Sequence, residues 1–199
     1  SMRAVVWVGA GGGLIWILLA GKSISIVYGS RFLAAGPVLA LFAAVCVMAL
    51  ISGHYRFGLI AAGKQDIEML TSMLGAIVAV AAIPLGYFRW GLTGAALAIV
   101  LAEAVIWFTS WWWARRLLRL KGHAKILVRP FGALTLAAAG SLLLPVSPIV
   151  RTALALLIFI ALAFAVDPEV RGRARALLAL RRRWSERRFA ELARARGDF

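Results

Sequence analysis

Long, almost uncharged apolar runs are the feature that most restricts how this chain can fold. Six such runs recur along its 199 residues, and each approaches the ~20 residues that a helix needs to cross a bilayer. Hydrophobic residues make up 63% of the chain and charged residues 16%, which is more apolar than a soluble domain of this size. Backbone groups in lipid must pair within their own segment, and the runs do not alternate as barrel strands do. We therefore predict an all-α integral membrane protein.

The predicted transmembrane bundle occupies residues 1–166, and its six spans are named A to F in chain order. Their approximate ranges are 4–20, 33–62, 67–85, 92–118, 127–144 and 149–166. The short segment 86–91 predicts that spans C and D form an antiparallel hairpin. In the basic tail, 167–199, apolar residues recur at roughly helical spacing. We expect this tail to be a cytoplasmic amphipathic helix on the inner leaflet; the alternative is a solvated helix that only sets the topology.

The distribution of positive charge predicts the orientation of the bundle. The chain has 23 Lys and Arg against 8 Asp and Glu. Leaving out Arg56, which lies inside span B, 18 cations fall on the side of the N-terminus, the D–E loop and the tail, and 4 fall on the other side. Cytoplasmic loops are enriched in Lys and Arg, so both termini should be cytoplasmic and the number of spans even. The basic residues lie between and after the apolar runs, where they can face anionic lipid. We therefore do not expect nucleic acid as a partner.

Two charged residues stand out because they lie well away from the ends of their predicted spans, where a charge is costly and commonly marks a function. Glu103 lies about eleven residues into span D, and Arg56 lies about seven residues from the cytoplasmic end of span B. At about 1.5 Å of rise per residue, their depths differ by only a few ångströms. One hypothesis is that they face a common polar cavity and pair, or contact an anionic substrate. The other is that Arg56 reaches the inner headgroups while Glu103 makes a neutral hydrogen bond between helices.

Tryptophans and arginines cluster at the cytoplasmic end of span D. Tryptophan favours the headgroup level and arginine there reaches the lipid phosphates, so we predict an interfacial anchor. Its members are Trp107, Trp111, Trp112, Trp113, Arg115 and Arg116. The sequence contains no nucleotide-binding loop, no metal-ligand spacing and no nucleophile paired with a base. We therefore expect no enzymatic activity, no metal site and no cofactor.

A pattern of small residues and turns extends from about Ala4 to Arg119. Its features are Tyr28-Gly29 with Phe32, Ala35-Gly36-Pro37, Ala62-Gly63-Lys64, Pro84, Gly91-x-x-Gly94-Ala95-Ala96 and Glu103. This pattern resembles the C-terminal part of polysaccharide exporters, the lipid-linked oligosaccharide flippases of the multidrug/oligosaccharidyl-lipid/polysaccharide exporter superfamily. The resemblance implies that spans A to F are the last helices of a longer transporter in a bacterial inner membrane, whose N-terminal half would be a missing partner.

The resemblance also implies a function. Such proteins move a lipid-linked saccharide from the inner to the outer leaflet by alternating access, so membrane lipid and that substrate are the expected partners. Arg56 would then contact the pyrophosphate, with Glu103 as its partner or as a proton-coupling site. The alternatives are a lipid II or drug exporter of the same superfamily, and a non-transporting membrane scaffold of a polysaccharide assembly complex.

Overall fold

The computed structural model describes residues 2–118, 123–143, 145–172 and 176, and every regular element in these ranges is helical. The elements are α1 (Met2–Val27), a 3-10 helix η1 (Ser30–Ala35), α2 (Gly36–Ala61), α3 (Gln65–Leu117), α4 (His123–Leu142) and α5 (Pro148–Val166). Four helices in the described part are long and apolar enough to cross a membrane: α1, η1 together with α2, α3, and α5. The four do not include α4, the helix of predicted span E, whose first two turns contain Lys125 and Arg129.

The first helix is longer than predicted span A. It continues beyond residue 20 to Val27, and η1 follows almost directly. Polar residues do not end the helix here, because the Ser25 hydroxyl donates to the carbonyl of Lys22 one turn earlier and Ile24 is buried. The segment between spans A and B is therefore mostly helical.

Small residues allow α1 and α2 to pack closely. A side chain on Gly13 would collide with Val47, and one on Gly9 would lie 3.4 Å from Leu50. Such small-residue contacts let membrane helices approach each other. The hydrophobic core next to this contact also includes residues of α3. Its fully or almost fully buried members are Val6, Val47, Ile51, Tyr55, Leu59 and Ala114.

A glycine turn reverses the chain between α2 and α3. Gly63 has φ +69, a left-handed conformation that glycine adopts without strain. Its N–H donates to the carbonyl of Ile60, and the N–H of Lys64 donates to that of Leu59. These two bonds make a Schellman motif, which satisfies carbonyls that the end of α2 would otherwise leave unpaired. The motif places the start of α3 beside the last turns of α2.

The long helix α3 is two antiparallel arms, 65–89 and 92–117, called the first and second arm below. The helix is broken only at Trp90 and Gly91, where Gly91 has φ +60 and ψ −146. The arms contact each other at Gly86 and Gly94, where a side chain on either glycine would collide with the other's carbonyl. The predicted antiparallel hairpin is present, but the predicted loop 86–91 is not. Because the two glycines let the backbones touch, the reversal needs only two residues.

The chain divides into two compact units, Ser1–Phe159 and Ile160–Phe199. In the first unit, α4 packs against α1, and the Trp7 ring centre lies 5.3 Å from that of Phe159. In the second unit, the described residues include the end of α5 and one helical turn, 168–172. Asp167 caps that turn by accepting the N–H of Glu169 at 3.0 Å. The predicted amphipathic helix of the tail lies mainly outside the described residues.

Candidate polar site between α2 and α3

A row of polar side chains lies where α2 faces the two arms of α3. On α2, Ser52 and Arg56 are four residues apart and therefore share a face. On the first arm, Glu68 and Ser72 have the same spacing. The turn at Gly63 makes α2 and the first arm antiparallel neighbours, which brings Arg56 opposite this second pair.

Arg56, Glu68 and Ser72 form a closed set of hydrogen bonds. The Arg56 guanidinium donates from Nε to Glu68 Oε1 at 2.9 Å and from Nη2 to the same oxygen. The Ser72 hydroxyl donates to that oxygen at 3.0 Å and accepts from Arg56 Nη2 at 3.1 Å. Charge-assisted bonds of this kind are about twice as strong as neutral ones. One carboxylate oxygen thus neutralises and orients the cation.

The arrangement leaves part of the guanidinium available. The Arg56 side chain is 37% exposed and that of Glu68 is 18% exposed. Within the described residues, Nη1 of Arg56 makes no hydrogen bond. The cation therefore has one edge held by the protein and one edge open to a further acceptor.

Glu103 contacts α2 one turn away from this ion pair. The hydroxyl of Ser52 lies 2.7 Å from Glu103 Oε1 and 3.2 Å from the carbonyl of Ala49. A hydroxyl has a single proton, so it donates to only one of these acceptors at a time. Ser52 is 1% exposed, and an unpaired hydroxyl at such a position would be costly. Glu103 therefore satisfies a buried polar group of the neighbouring helix.

A third polar contact joins the two arms of α3. The Ser110 hydroxyl lies 3.4 Å from Thr71 Oγ1, and the Thr71 hydroxyl donates to the carbonyl of Glu68 at 2.8 Å. Thr71 and Ser110 are both fully buried. Hydrogen bonds between membrane helices contribute about 0.6 to 2 kcal/mol each. The contact fixes the register of the hairpin and holds Glu68 where Arg56 meets it.

The structure brings the two predicted site residues to the same interface but gives them different partners. Arg56 pairs with Glu68, and Glu103 bonds to Ser52, so the predicted pairing between Arg56 and Glu103 is absent from the described side-chain contacts. The reason is the turn at Gly63, which places a carboxylate of the first arm nearer to Arg56. The sequence reasoning did not single out Glu68 because it lies in the first turn of its helix, where acidic residues are common and stabilise the helix N-terminus. Its spacing to Ser72 was the available signal.

No described residues form a group of three or more His, Cys, Asp or Glu that could hold a metal ion. The His54 side chain is exposed, and its Nδ1 lies 3.1 Å from the carbonyl of Leu50 on its own helix. The side chains of the site are a guanidinium, two carboxylates and two hydroxyls, and their chemistry is ion pairing, hydrogen bonding and proton exchange on carboxylate oxygens.

The predicted anchor cluster divides into two parts in the structure. Trp107, Trp111 and Trp113 are half-buried and pack against the core. Trp112 is exposed, and the guanidinium of Arg116 lies 4.5 Å from its ring centre. Some of these tryptophans therefore stabilise the helix packing in addition to any membrane contact.

Comparison with known proteins adds no relative. No protein-family model, no curated protein and no solved structure matches the chain. The resemblance to polysaccharide exporters therefore stays a hypothesis.

Proposed function

We propose that this chain is a helical part of a membrane flippase, which exports lipid-linked oligosaccharide or polysaccharide units from the inner to the outer leaflet by alternating access. The observation that carries the proposal is the pair of polar contacts set between apolar helices, Arg56 with Glu68 and Ser52 with Glu103. Ionisable groups inside membrane helices are costly and commonly mark substrate or proton pathways.

The proposed placement is a bacterial inner membrane, with six spans and cytoplasmic termini. The division of cations, 18 against 4, supports this orientation. The length of the second arm supports a full span, because the rise from Leu92 to Trp111 is about 28 Å, close to the ~30 Å of the hydrocarbon core. On this placement Ser52 and Glu103 lie near the midplane, since Ser52 is about 15 Å along the axis from Ala62.

Arg56 is the proposed contact for the charged head group of the substrate. A phosphate first accepts from the open Nη1, then competes with Glu68 for Nη2, and the bidentate geometry suits a guanidinium. When the substrate leaves, Glu68 takes the cation back. Without substrate, Glu68 thus neutralises the Arg56 guanidinium. An unpaired charge among apolar helices would be strongly unfavourable.

Glu103 is the proposed coupling residue. When its carboxylate is ionised, the Ser52 hydroxyl donates to it. When the carboxyl is protonated, it donates to Ser52 Oγ instead, and the hydroxyl proton then goes to the carbonyl of Ala49. The protonation state of Glu103 therefore selects between two hydrogen-bond arrangements of α2. This is the kind of bistable element that proton coupling requires.

A second candidate is a non-transporting scaffold of a polysaccharide assembly complex. The observation that favours it is the neutralisation of Arg56 by Glu68, because a compensated pair between two helices needs no substrate. A lipid II or drug exporter differs from the first proposal only in the substrate.

Transport by membrane vesicles from cells that express the complete transporter containing this chain tests the proposal. A lipid-linked oligosaccharide is supplied on the cytoplasmic face, and its arrival on the other face is scored with a lectin. We expect Arg56→Gln and Glu103→Gln to reduce the initial rate at least tenfold, and Arg31→Gln, an exposed cation outside the site, to leave it unchanged. Unchanged transport in both site variants would contradict the assigned roles. Transport no faster than in vesicles that lack the chain would favour the scaffold.

A further inference from the structure

An apolar groove runs along the second arm of α3, close to its end at Leu117. Its volume is about 420 Å³, and it is lined by Ala104, Trp107, Phe108, Trp111 and Leu127. The first four of these residues share one helix face because their spacing follows the helical repeat. Leu127 comes from α4 and closes the other side. The groove therefore lies between two helices and is open to the surroundings of the protein.

Two arginines stand at the end of this groove, each over an aromatic ring. The guanidinium carbon of Arg115 lies 5.5 Å from the centre of the Trp111 ring, and that of Arg116 lies 4.5 Å from the Trp112 ring. The Phe108 ring lies 5.8 Å from Trp111 and 6.3 Å from Trp112. Cation–π contacts hold a guanidinium over a ring while leaving its N–H groups free at the edge. Arg115 therefore lies over a ring that lines the groove, and Arg116 lies over a ring that contacts the lining residue Phe108.

These cations are not neutralised by the described part of the chain. Within it, neither Arg115 nor Arg116 has a carboxylate partner, and both are exposed. The acidic residue of the same arm, Glu103, bonds to Ser52 on α2. Two adjacent guanidinium groups that no described carboxylate neutralises attract an anion, and their planar geometry suits a phosphate.

The length of the groove fits one acyl chain below such a phosphate. From Ala104 to Arg115 the axial rise is about 16 Å, close to half of the ~30 Å hydrocarbon core. We propose that this groove binds one anionic phospholipid, with its phosphate on Arg115 and Arg116 and one acyl chain against Phe108 and Trp111. The site requires only that the chain lies in a membrane, and it does not depend on the proposed transport of saccharides.

Native mass spectrometry of the whole chain, released from micelles, tests the head-group contact. The probes are phosphatidylglycerol and phosphatidylcholine with identical acyl chains. We expect the native chain to retain phosphatidylglycerol preferentially, Arg115→Gln to weaken that retention about tenfold, and Lys64→Gln to change it less than twofold. Lys64 is the matched control because it is an exposed cation on the same predicted side. An equal loss of phosphatidylglycerol retention in both variants would show general attraction to the charged surface and would contradict the proposed site. Arg116→Gln gives a second measurement if the first variant does not fold.

A second pair of variants tests the acyl chain. Ala104→Trp fills the groove and keeps both cations, whereas Ala81→Trp places the same side chain on an exposed position of the first arm. We expect the first variant to lose phosphatidylglycerol and the second to retain it. Retention by both would overturn the placement of the chain in the groove. Displacement of the bound phospholipid by an equimolar polyprenyl phosphate would overturn the assignment to a phospholipid, whatever the outcome of the transport assay.

Discussion

Neutralising Glu68 should increase, not decrease, the affinity of the site for an anionic lipid-linked substrate. In the structure, one oxygen of Glu68 accepts hydrogen bonds from both Nε and Nη2 of Arg56. A substrate phosphate must compete with that oxygen. Glu68→Gln removes the negative charge while keeping the size and an acceptor oxygen for Ser72. The substrate then meets a cation that no longer has an internal counter-ion.

The magnitude follows from Coulomb energies at a partly exposed site. Two unit charges about 4 Å apart interact by about 4 kcal/mol at an effective dielectric constant near 20, and by about 1 kcal/mol in water. The Arg56 side chain is 37% exposed, so the lower part of this range applies. A gain of about 1.4 kcal/mol corresponds to a tenfold increase in affinity. Arg56→Gln should lower affinity by about the same factor, and Arg56→Gln with Glu68→Gln should resemble Arg56→Gln alone.

The assay is titration calorimetry of the chain in nanodiscs with a polyprenyl diphosphate-linked sugar. Asp66→Asn is the matched control, since it removes an exposed carboxylate from the same first turn of α3. We expect Glu68→Gln to bind about tenfold more tightly and Asp66→Asn to bind as the native chain does. Weaker binding in Glu68→Gln, with its helical content intact, would refute the exchange of partners at Arg56 and mean that the ion pair is structural.

Three further predictions concern the packing of the helices and can be checked by reversible unfolding in micelles. Gly13→Ala should destabilise the fold by about 1 to 3 kcal/mol because its methyl group collides with a branched side chain of α2, whereas Gly12→Ala, with open space around it, should be neutral or slightly stabilising. Gly91→Ala should cost about 1 to 3 kcal/mol because its backbone conformation is essentially restricted to glycine; a cost no larger than that of Gly12→Ala would contradict the two-residue reversal. Ser52→Ala should destabilise by about 1 kcal/mol by removing a hydrogen bond between helices, while Glu103→Gln, whose amide oxygen can still accept, should have little effect; equal losses would argue against the bond.

Much of the helical organisation could be predicted from local sequence. The length of the apolar runs and the glycine at position 63 place the turn between α2 and α3 within a few residues, because both act through local backbone geometry. The arms 65–89 and 92–117 correspond to spans C and D for the same reason. The extension of α1 to Val27 was not predicted, since Ser25 and Lys22 look like loop residues until their intrahelical bond is seen.

The candidate site was only half predictable. Sequence singles out Arg56 and Glu103 because a charge in an apolar run is conspicuous, and both lie at the interface between α2 and α3. Their partners depend on the rotation of each helix and on the register across the turn, and neither is a local property. A shift of one residue moves a side chain by about 100° around the helix axis, since a turn has about 3.6 residues.

The sequence by itself therefore determined that this chain is helical and strongly apolar, and which few charged side chains stand out within the helices. Those properties follow from composition and spacing, which are features of each segment by itself and do not depend on its neighbours. Only the tertiary structure decided that Glu68 neutralises Arg56 and that the Ser52 hydroxyl donates to Glu103. It also decided that two tryptophans of one cluster line a groove with arginines at its end. Those contacts join residues from different helices, and packing between glycine-rich faces sets their distances.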